Sequence, residues 1–197
     1  MQNPIARWDT LIAGGKPTAE LHKAIWFVAY TLSNLTNQPI SVASHRIKRA
    51  PIGEIATQAA DAQAEAVGVY LLLGDDLPGQ AILMLRRQAA LAAVDLMQGS
   101  RPGTMMQLGD IERSALGELG NVAASSFLNV VAQPSWGPLH PSPPAVMVDR
   151  LGIVLDAVAT SIARTCDTLD IIDTEFQDAA KSCPMQLWII PNPTSDV

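Results

Sequence analysis

A carboxylate and a carboxamide stand three residues apart in SALGELGN, Ser114 to Asn121, wrapped in glycine, alanine and serine. Near pH 7 the carboxamide is neither acid nor base. It offers one acceptor and two donors, enough to hold and orient a water molecule. The carboxylate can take a proton, bind a metal or pair with a lysine. Glu118 and Asn121 together therefore suit water positioning beside a charged partner. The chain has no glycine-rich phosphate loop and no histidine near this stretch, and Arg113 is the only cation close by. A phosphate substrate would need its charge neutralised from elsewhere.

The pair belongs on a helix. At about 100° per residue, Leu116, Leu119, Ala123, Phe127 and Val130 fall in one narrow sector that reads as the buried face. Ser114, Glu118, Asn121 and Ser125 fall together on the opposite side. Residues three and four apart are surface neighbours, so Glu118 and Asn121 point outward side by side. Gly117, Gly120 and Ala124 flank them. A glycine inside a helix costs about 1 kcal/mol relative to alanine, so two need a reason. Either another protein's surface comes close here, or the helix packs tightly against a counterpart in the first half.

That counterpart is suggested by Glu20-Leu21-His22-Lys23, which reads ELHK where the later stretch reads ELGN. Gly14-Gly15-Lys16-Pro17 is a break, and Thr18 is placed to cap a helix from Ala19 to about Thr36, with Ile25, Val28, Ala29 and Leu32 on one face. Asn37-Gln38-Pro39 ends it. Ile40 to Ala50 reads as a strand, and Ile52 to Ala66 is ambiguous. Val67–Leu73 and Gln80–Leu85 read as two strands around a turn, followed by a short helix over Arg87–Met97. The second long helix covers Asp110 to Gln133, then a proline-rich loop runs from Pro134 to Pro144. A short strand at Val146–Val148, a helix over Asp149–Thr165 and a strand pair at Asp170–Gln177 and Met185–Ile190 complete the chain. The halves echo each other, which predicts an α+β fold: a pseudo-two-fold duplicated helix–strand repeat, its antiparallel sheet carrying two long helices. The expected organisation is a single domain over 1–197, with repeats at about 19–100 and 106–193 and an N-terminal extension, 1–18.

Composition narrows the function classes. With 197 residues, 48% apolar and 16% charged, the chain can bury a sizeable core. A formal charge of −6 argues against nucleic acid. The cluster His45-Arg46-Ile47-Lys48-Arg49 reads as the wet face of a strand. The start, MQNPIARWDTLIAGG, lacks the pattern of a signal peptide, and polar residues interrupt the uncharged run from Leu119 to Val148. Cys166 and Cys183 are isolated and read as reduced thiols, so a cytoplasmic protein without nucleic-acid or membrane contact is expected.

The spaced pattern Ser114-x3-Glu118-x2-Asn121-x21-Pro143 resembles the active-site signature of the CheC-type chemotaxis phosphatases, the group that includes CheX and FliY. SALGELGNVAASSFLN is similar to that family's second active-site helix. VGVYLLLGDDLPGQAILML and DIIDTEFQDAAKSCPMQLWIIPNP are similar to its central and last hairpins, so the resemblance runs from about Ala19 to Pro193. It implies hydrolysis of the aspartyl phosphate of a CheY-like response regulator. Asn121 would orient the attacking water, Glu118 would pair with the regulator's lysine, and Ser114 and Pro143 would support them. No cofactor would be bound by this chain; Mg²⁺ would sit in the partner's active site, which also supplies the phosphate clamp. Two-site members repeat the Glu–Asn pair on the first long helix. Here Lys23 replaces the Asn, and Ile25, Trp26 and Phe27 replace small neighbours, so one working site, in the second half, is expected. The alternative is a non-catalytic binding module for a receiver domain or for a CheD-like deamidase.

The remaining chemistry-bearing residues read as structural. These are His22 beside the degenerate site, His140 in the proline-rich loop, and Asp75-Asp76 in a hairpin turn. Trp26, Trp136 and Trp188 read as packing residues, with Trp136 beside the signature loop also a candidate partner contact. The methionines, including Met105-Met106, read as core filling or a connector.

Overall fold

The computed structural model describes residues 4–58, 61–132, 139–162 and 167–192. Among them the α helices are α1 (Pro4–Leu11), α2 (Ala19–Thr36), α3 (Arg87–Met97), α4 (Asp110–Val131) and α5 (Leu151–Ile162). The strands are β1 (Ile40–Pro51), β2 (Glu65–Leu72), β3 (Gly79–Arg86), β4 (Ala145–Arg150), β5 (Thr168–Asp178) and β6 (Met185–Pro191). The ambiguous segment after β1 is partly a 3-10 helix, Ile52–Gln58. The expected ends of α4 at Gln133 and α5 at Thr165, and the loop residues from Pro134 to Pro138, lie outside the described residues. So do Trp136 and Cys166.

Local chemistry sets the helix ends. Thr18 Oγ1 accepts from the Leu21 N–H at 3.4 Å and caps α2. Asn37 closes α2 in the left-handed conformation, φ 51°, which asparagine tolerates better than most residues. Glu112 reaches back to accept from the Gly109 N–H at 2.8 Å, starting α4. Asp95, fully buried on α3, accepts from the N–H groups of Gly103, Thr104 and Met105 at 2.8–2.9 Å. That carboxylate fixes the loop that delivers α4.

All six strands form one antiparallel sheet in the order β1-β5-β6-β3-β2-β4. The order reads the same from both ends when the halves are exchanged: β1 matches β4, β2 matches β5, and β3 matches β6. Each half lends its first strand to the other half's hairpin, so neither half could complete its sheet alone. The pseudo-two-fold α+β architecture expected from the sequence is the one observed.

One face of the sheet carries α2, α3 and α4 over the larger core, and α5 covers part of the other face. The helices α2 and α4 run antiparallel. Arg7 of α1 donates to the Val131 carbonyl at the end of α4 (2.8 and 3.1 Å) and pairs with Glu20 at the start of α2. Further along, Thr31 and Ser126 hydroxyls meet at 2.8 Å between the helices. Trp8 of α1 stacks on Phe127 at 6.3 Å and donates its indole N–H to the Pro78 carbonyl at 2.9 Å. Helix α1 is thus a clamp across both long helices and the β2–β3 turn.

Some sequence expectations need correction. Val130 is only partly buried, because it lies at the edge of the sector that faces the sheet. Trp26 is not a packing residue: it is 58% exposed. Ile25, read as a neighbour of the degenerate site, is in the core at 3%. The basic cluster on β1 is not simply wet. Strand alternation turns Arg46 and Lys48 toward Asp173, itself 2% exposed, at 3.1 and 2.6 Å. Trp188 is buried as expected, and Met106 is exposed in the segment that connects α3 to α4, the second of the two roles weighed for it.

Candidate functional site

Helix α4 sorts its side chains as its period requires. Leu116, Leu119, Ala123 and Phe127 are buried against the sheet, Ser114 and Glu118 are exposed, and Asn121 and Ser125 are half-buried. Among the described residues, neither the Glu118 carboxylate nor the Asn121 carboxamide has a hydrogen-bond or ion-pair partner within the chain. Two polar groups one turn apart on a rigid helix are therefore presented unspent to whatever approaches.

Gly120 serves the sheet rather than either purpose weighed from the sequence. A Cβ on Gly120 would sit 2.4 Å from Val69 Cγ1 and 2.8 Å from Val69 Cβ, on β2. A Cβ on Gly117 would meet Pro144 Cγ at 3.4 Å and Val146 Cγ2 at 3.5 Å, an ordinary contact. Gly120 thus lets α4 settle onto the sheet, which fixes how far Glu118 and Asn121 stand above it. The counterpart helix α2 meets α4 on another side, at Ser126.

The segment before β4 borders the same helix. The Ser142 N–H donates to the Leu72 carbonyl and the Ser142 hydroxyl accepts from the Leu72 N–H, both at 2.9 Å, pinning this segment to the end of β2. Pro144 then lies against Gly117. Pro143 is exposed and one residue from that contact. The structure thus brings Ser114, Glu118 and Asn121 onto one outward face and runs the Pro143 segment along the edge of that helix.

The corresponding face of α2 differs. Glu20 is engaged by Arg7, and Lys23 is exposed where α4 has Asn121. Beyond them Trp26, Phe27 and Tyr30 are exposed, with the Phe27 and Tyr30 rings 6.1 Å apart. The sequence reading passed over Tyr30 and took Trp26 for packing. Their shared sector, opposite Leu21, Val28 and Leu32, was the signal that would have found them. His22 lies within 2.8 Å of the Thr18 carbonyl through Nδ1 and meets His45 edge to face at 4.5 Å, a structural role. Burial and then the charge of His22 push the His45 pKa down. Asp75 and Asp76 are exposed in the turn and His140 is exposed. Burial, with Asp178 nearby, pushes the Cys183 thiol up to about 12, which removes its thiolate from neutral chemistry. Among the described residues no three His, Cys, Asp or Glu side chains group so as to hold a metal ion, and no helix is long and apolar enough to cross a membrane.

No family model matches the chain. The CheY-P phosphatase CheC of Bacillus subtilis is 23% identical over 170 residues, 85% of this chain and 81% of that protein. The fold matches Thermotoga maritima FliY with a TM-score of 0.66 at 18% identity, over 98% of this chain and 92% of that one. It matches CheX in the CheX–CheY–BeF3–Mg²⁺ complex of Borrelia burgdorferi with a TM-score of 0.57 at 13% identity, over 88% and 98%. FliM in the FliM–SpeE complex of H. pylori shares the fold too, with a TM-score of 0.58 at 13% identity, over 88% and 84%. The duplicated sheet is the fold of these CheC, CheX and FliY proteins, and the sequence is similar to CheC along most of the chain.

Proposed function

We propose that the chain is a phosphatase for the aspartyl phosphate of a CheY-like receiver domain, with one active site, on α4. Asn121 inserts its carboxamide into the receiver's active centre. The amide oxygen accepts from a water and holds it in line with the phosphorus–aspartate bond, much as a glutamine positions water in GTPases. Glu118, one turn away, pairs with the receiver's lysine and sets the docking register. The receiver brings Mg²⁺ and the groups that neutralise the phosphoryl oxygens, so this division of labour asks no cation of the Asn121 site itself. Ser114 and Pro143 border the site as supports. The observation that carries the reading is that both polar groups face outward without internal partners on a helix fixed to the sheet.

The test follows phosphate loss from a phosphorylated receiver of the same genome. Wild type is expected to accelerate it. Asn121→Ala should lower kcat on the order of 10²-fold with docking retained, as loss of a positioned group does. Glu118→Ala should act mainly on docking, raising KM about tenfold or more. A wild type that binds receivers without speeding phosphate loss would overturn the catalytic reading. The second reading, a binding module for a receiver or a CheD-like partner, would then stand, and the FliM match gives it independent support at the level of the fold.

A further inference from the structure

The exposed large apolar side chains are unevenly placed. Among the described residues they are Trp26, Phe27, Tyr30, Leu72, Met106, Ile111 and Ile153. The aromatics all lie on α2, with Trp26 58%, Phe27 38% and Tyr30 62% exposed. Ile111, 73% exposed, is seven residues before Glu118 and so on the same outward line of α4. Four of the seven, Trp26, Phe27, Tyr30 and Ile111, thus stand on the outward faces of α2 and α4, and the α4 face is the one that presents Glu118 and Asn121.

We propose that the α2 aromatics and the α4 polar pair form one docking surface, on which a single phosphorylated receiver domain sits across both helices. This inference rests on the receiver reading above. The geometry carries it. Thr31 and Ser126 touch at 2.8 Å, so the helices lie side by side with axes about 8–10 Å apart. Tyr30 adjoins Thr31. Counting about 1.5 Å per residue along antiparallel axes, Tyr30 lies roughly 12 Å from Asn121, and Trp26 roughly 20 Å from Glu118. A specific interface covers about 800 Å² per partner, a patch about 30 Å across. Glu118 and Asn121 alone cannot make such a patch, whereas the two helix faces together fit inside it.

The chemistry divides accordingly. Trp and Tyr dominate binding energy when a partner removes them from water, and they add contact area at little conformational cost. The polar pair supplies register and reaction. On α2 the residues that could have done chemistry are unavailable: Glu20 is engaged by Arg7, and Lys23 is a donor only. That face gives adhesion without a second reaction centre. It also offers a specificity element, because a receiver lacking an apolar patch at that distance from its phosphorylation site would dock poorly.

The test uses the full chain with Trp26→Ser and Tyr30→Ser together. Ile153→Ser serves as a control, exposed on α5 across the sheet. Receiver affinity is read by calorimetric titration, and KM and kcat by phosphate release. The double variant should weaken binding and raise KM about tenfold or more, with kcat within twofold of wild type and the control unchanged. Binding and KM equal to wild type would overturn the proposal. A dimeric wild type made monomeric by the double variant, with receiver binding intact, would overturn it in favour of a second copy of the chain. If wild type binds without turnover while the double variant loses binding, the catalytic reading fails and the docking surface stands.

Discussion

On the proposed mechanism the Asn121 carboxamide holds water against another protein's phosphorus, and such a group tolerates little change in length. Asn121→Gln adds one methylene and moves the amide by about 1.5 Å. Displacements near 1 Å can cost on the order of 10²-fold. We expect kcat to fall by about that factor with KM within a few-fold, measured by single-turnover phosphate release. The first half gives a complementary expectation. Lys23→Asn recreates the E-x-x-N spelling on α2, but Glu20 remains tied to Arg7 and the aromatics remain on the same face. The double variant Lys23→Asn, Asn121→Ala should therefore be as inactive as Asn121→Ala alone. Restored turnover would show that spelling suffices. The outward pose of Glu118 and Asn121 was legible in the sequence because the 3.6 period separates their sector cleanly from Leu116, Leu119 and Ala123. The capture of Glu20 was not. Its partner, Arg7, sits in a short N-terminal helix whose eight residues carry too little periodicity to announce where they pack.

Among the elements, α4 shows how a helix can be placed by what it lacks. Alanine is the better helix former by about 1 kcal/mol at either glycine. At Gly120 its methyl group would enter Val69, at 2.4 and 2.8 Å, and the helix would have to lift from β2. Overpacking of this kind costs about 1–3 kcal/mol, so Gly120→Ala should be destabilising. On the proposed function it should also slow phosphate release, since Asn121 rides on the displaced turn. At Gly117 the same methyl meets Pro144 and Val146 at ordinary contact distance. Gly117→Ala should be neutral or stabilising by up to about 1 kcal/mol. Urea unfolding of the two variants measures the contrast, and equal effects would refute this account of the glycines. Element types and most boundaries were readable because α2, α3, β2, β3, β5 and β6 combine strong periodicity with Gly, Pro or Asn stops. Gly120 was misread because local sequence does not say which strand lies beneath a helix; Val69 is far away in the chain.

For the whole molecule, exchange of β1 and β4 between the halves makes the sheet a single cooperative unit, so acid should act on it as a whole. Two sets of groups face different parts of the pH scale. His45 lies in the seam between α2 and β1, where burial and then His22 lower its pKa. The unfolded chain therefore binds its proton more readily. Its stabilising contribution is complete above about pH 6.5 and declines as pH falls from there toward the folded value. Asp173 and Asp178 respond later. Burial would raise Asp173, but hydrogen bonds from Lys48, Gln186 and Trp188, with the Lys48 charge, outweigh it and hold the carboxyl below its ordinary range. Burial at Asp178 is likewise outweighed, by hydrogen bonds from the Cys183 N–H and the Ser182 hydroxyl among others. Both carboxylates contribute above about pH 4, and the contribution is lost as pH falls through their folded values. Urea midpoints measured from pH 8 to pH 3 should therefore show a shallow decline beginning near pH 6.5 and a steeper one below about pH 4. His45→Gln should flatten the first part and leave the second. Asp173→Asn should weaken the second and lower stability at pH 7, because Lys48, largely buried beside it, loses its counter-charge. A profile flat down to pH 4 in wild type would refute the role given to the His22–His45 contact, and an unchanged acid limb in Asp173→Asn would refute that given to the β1–β5–β6 network.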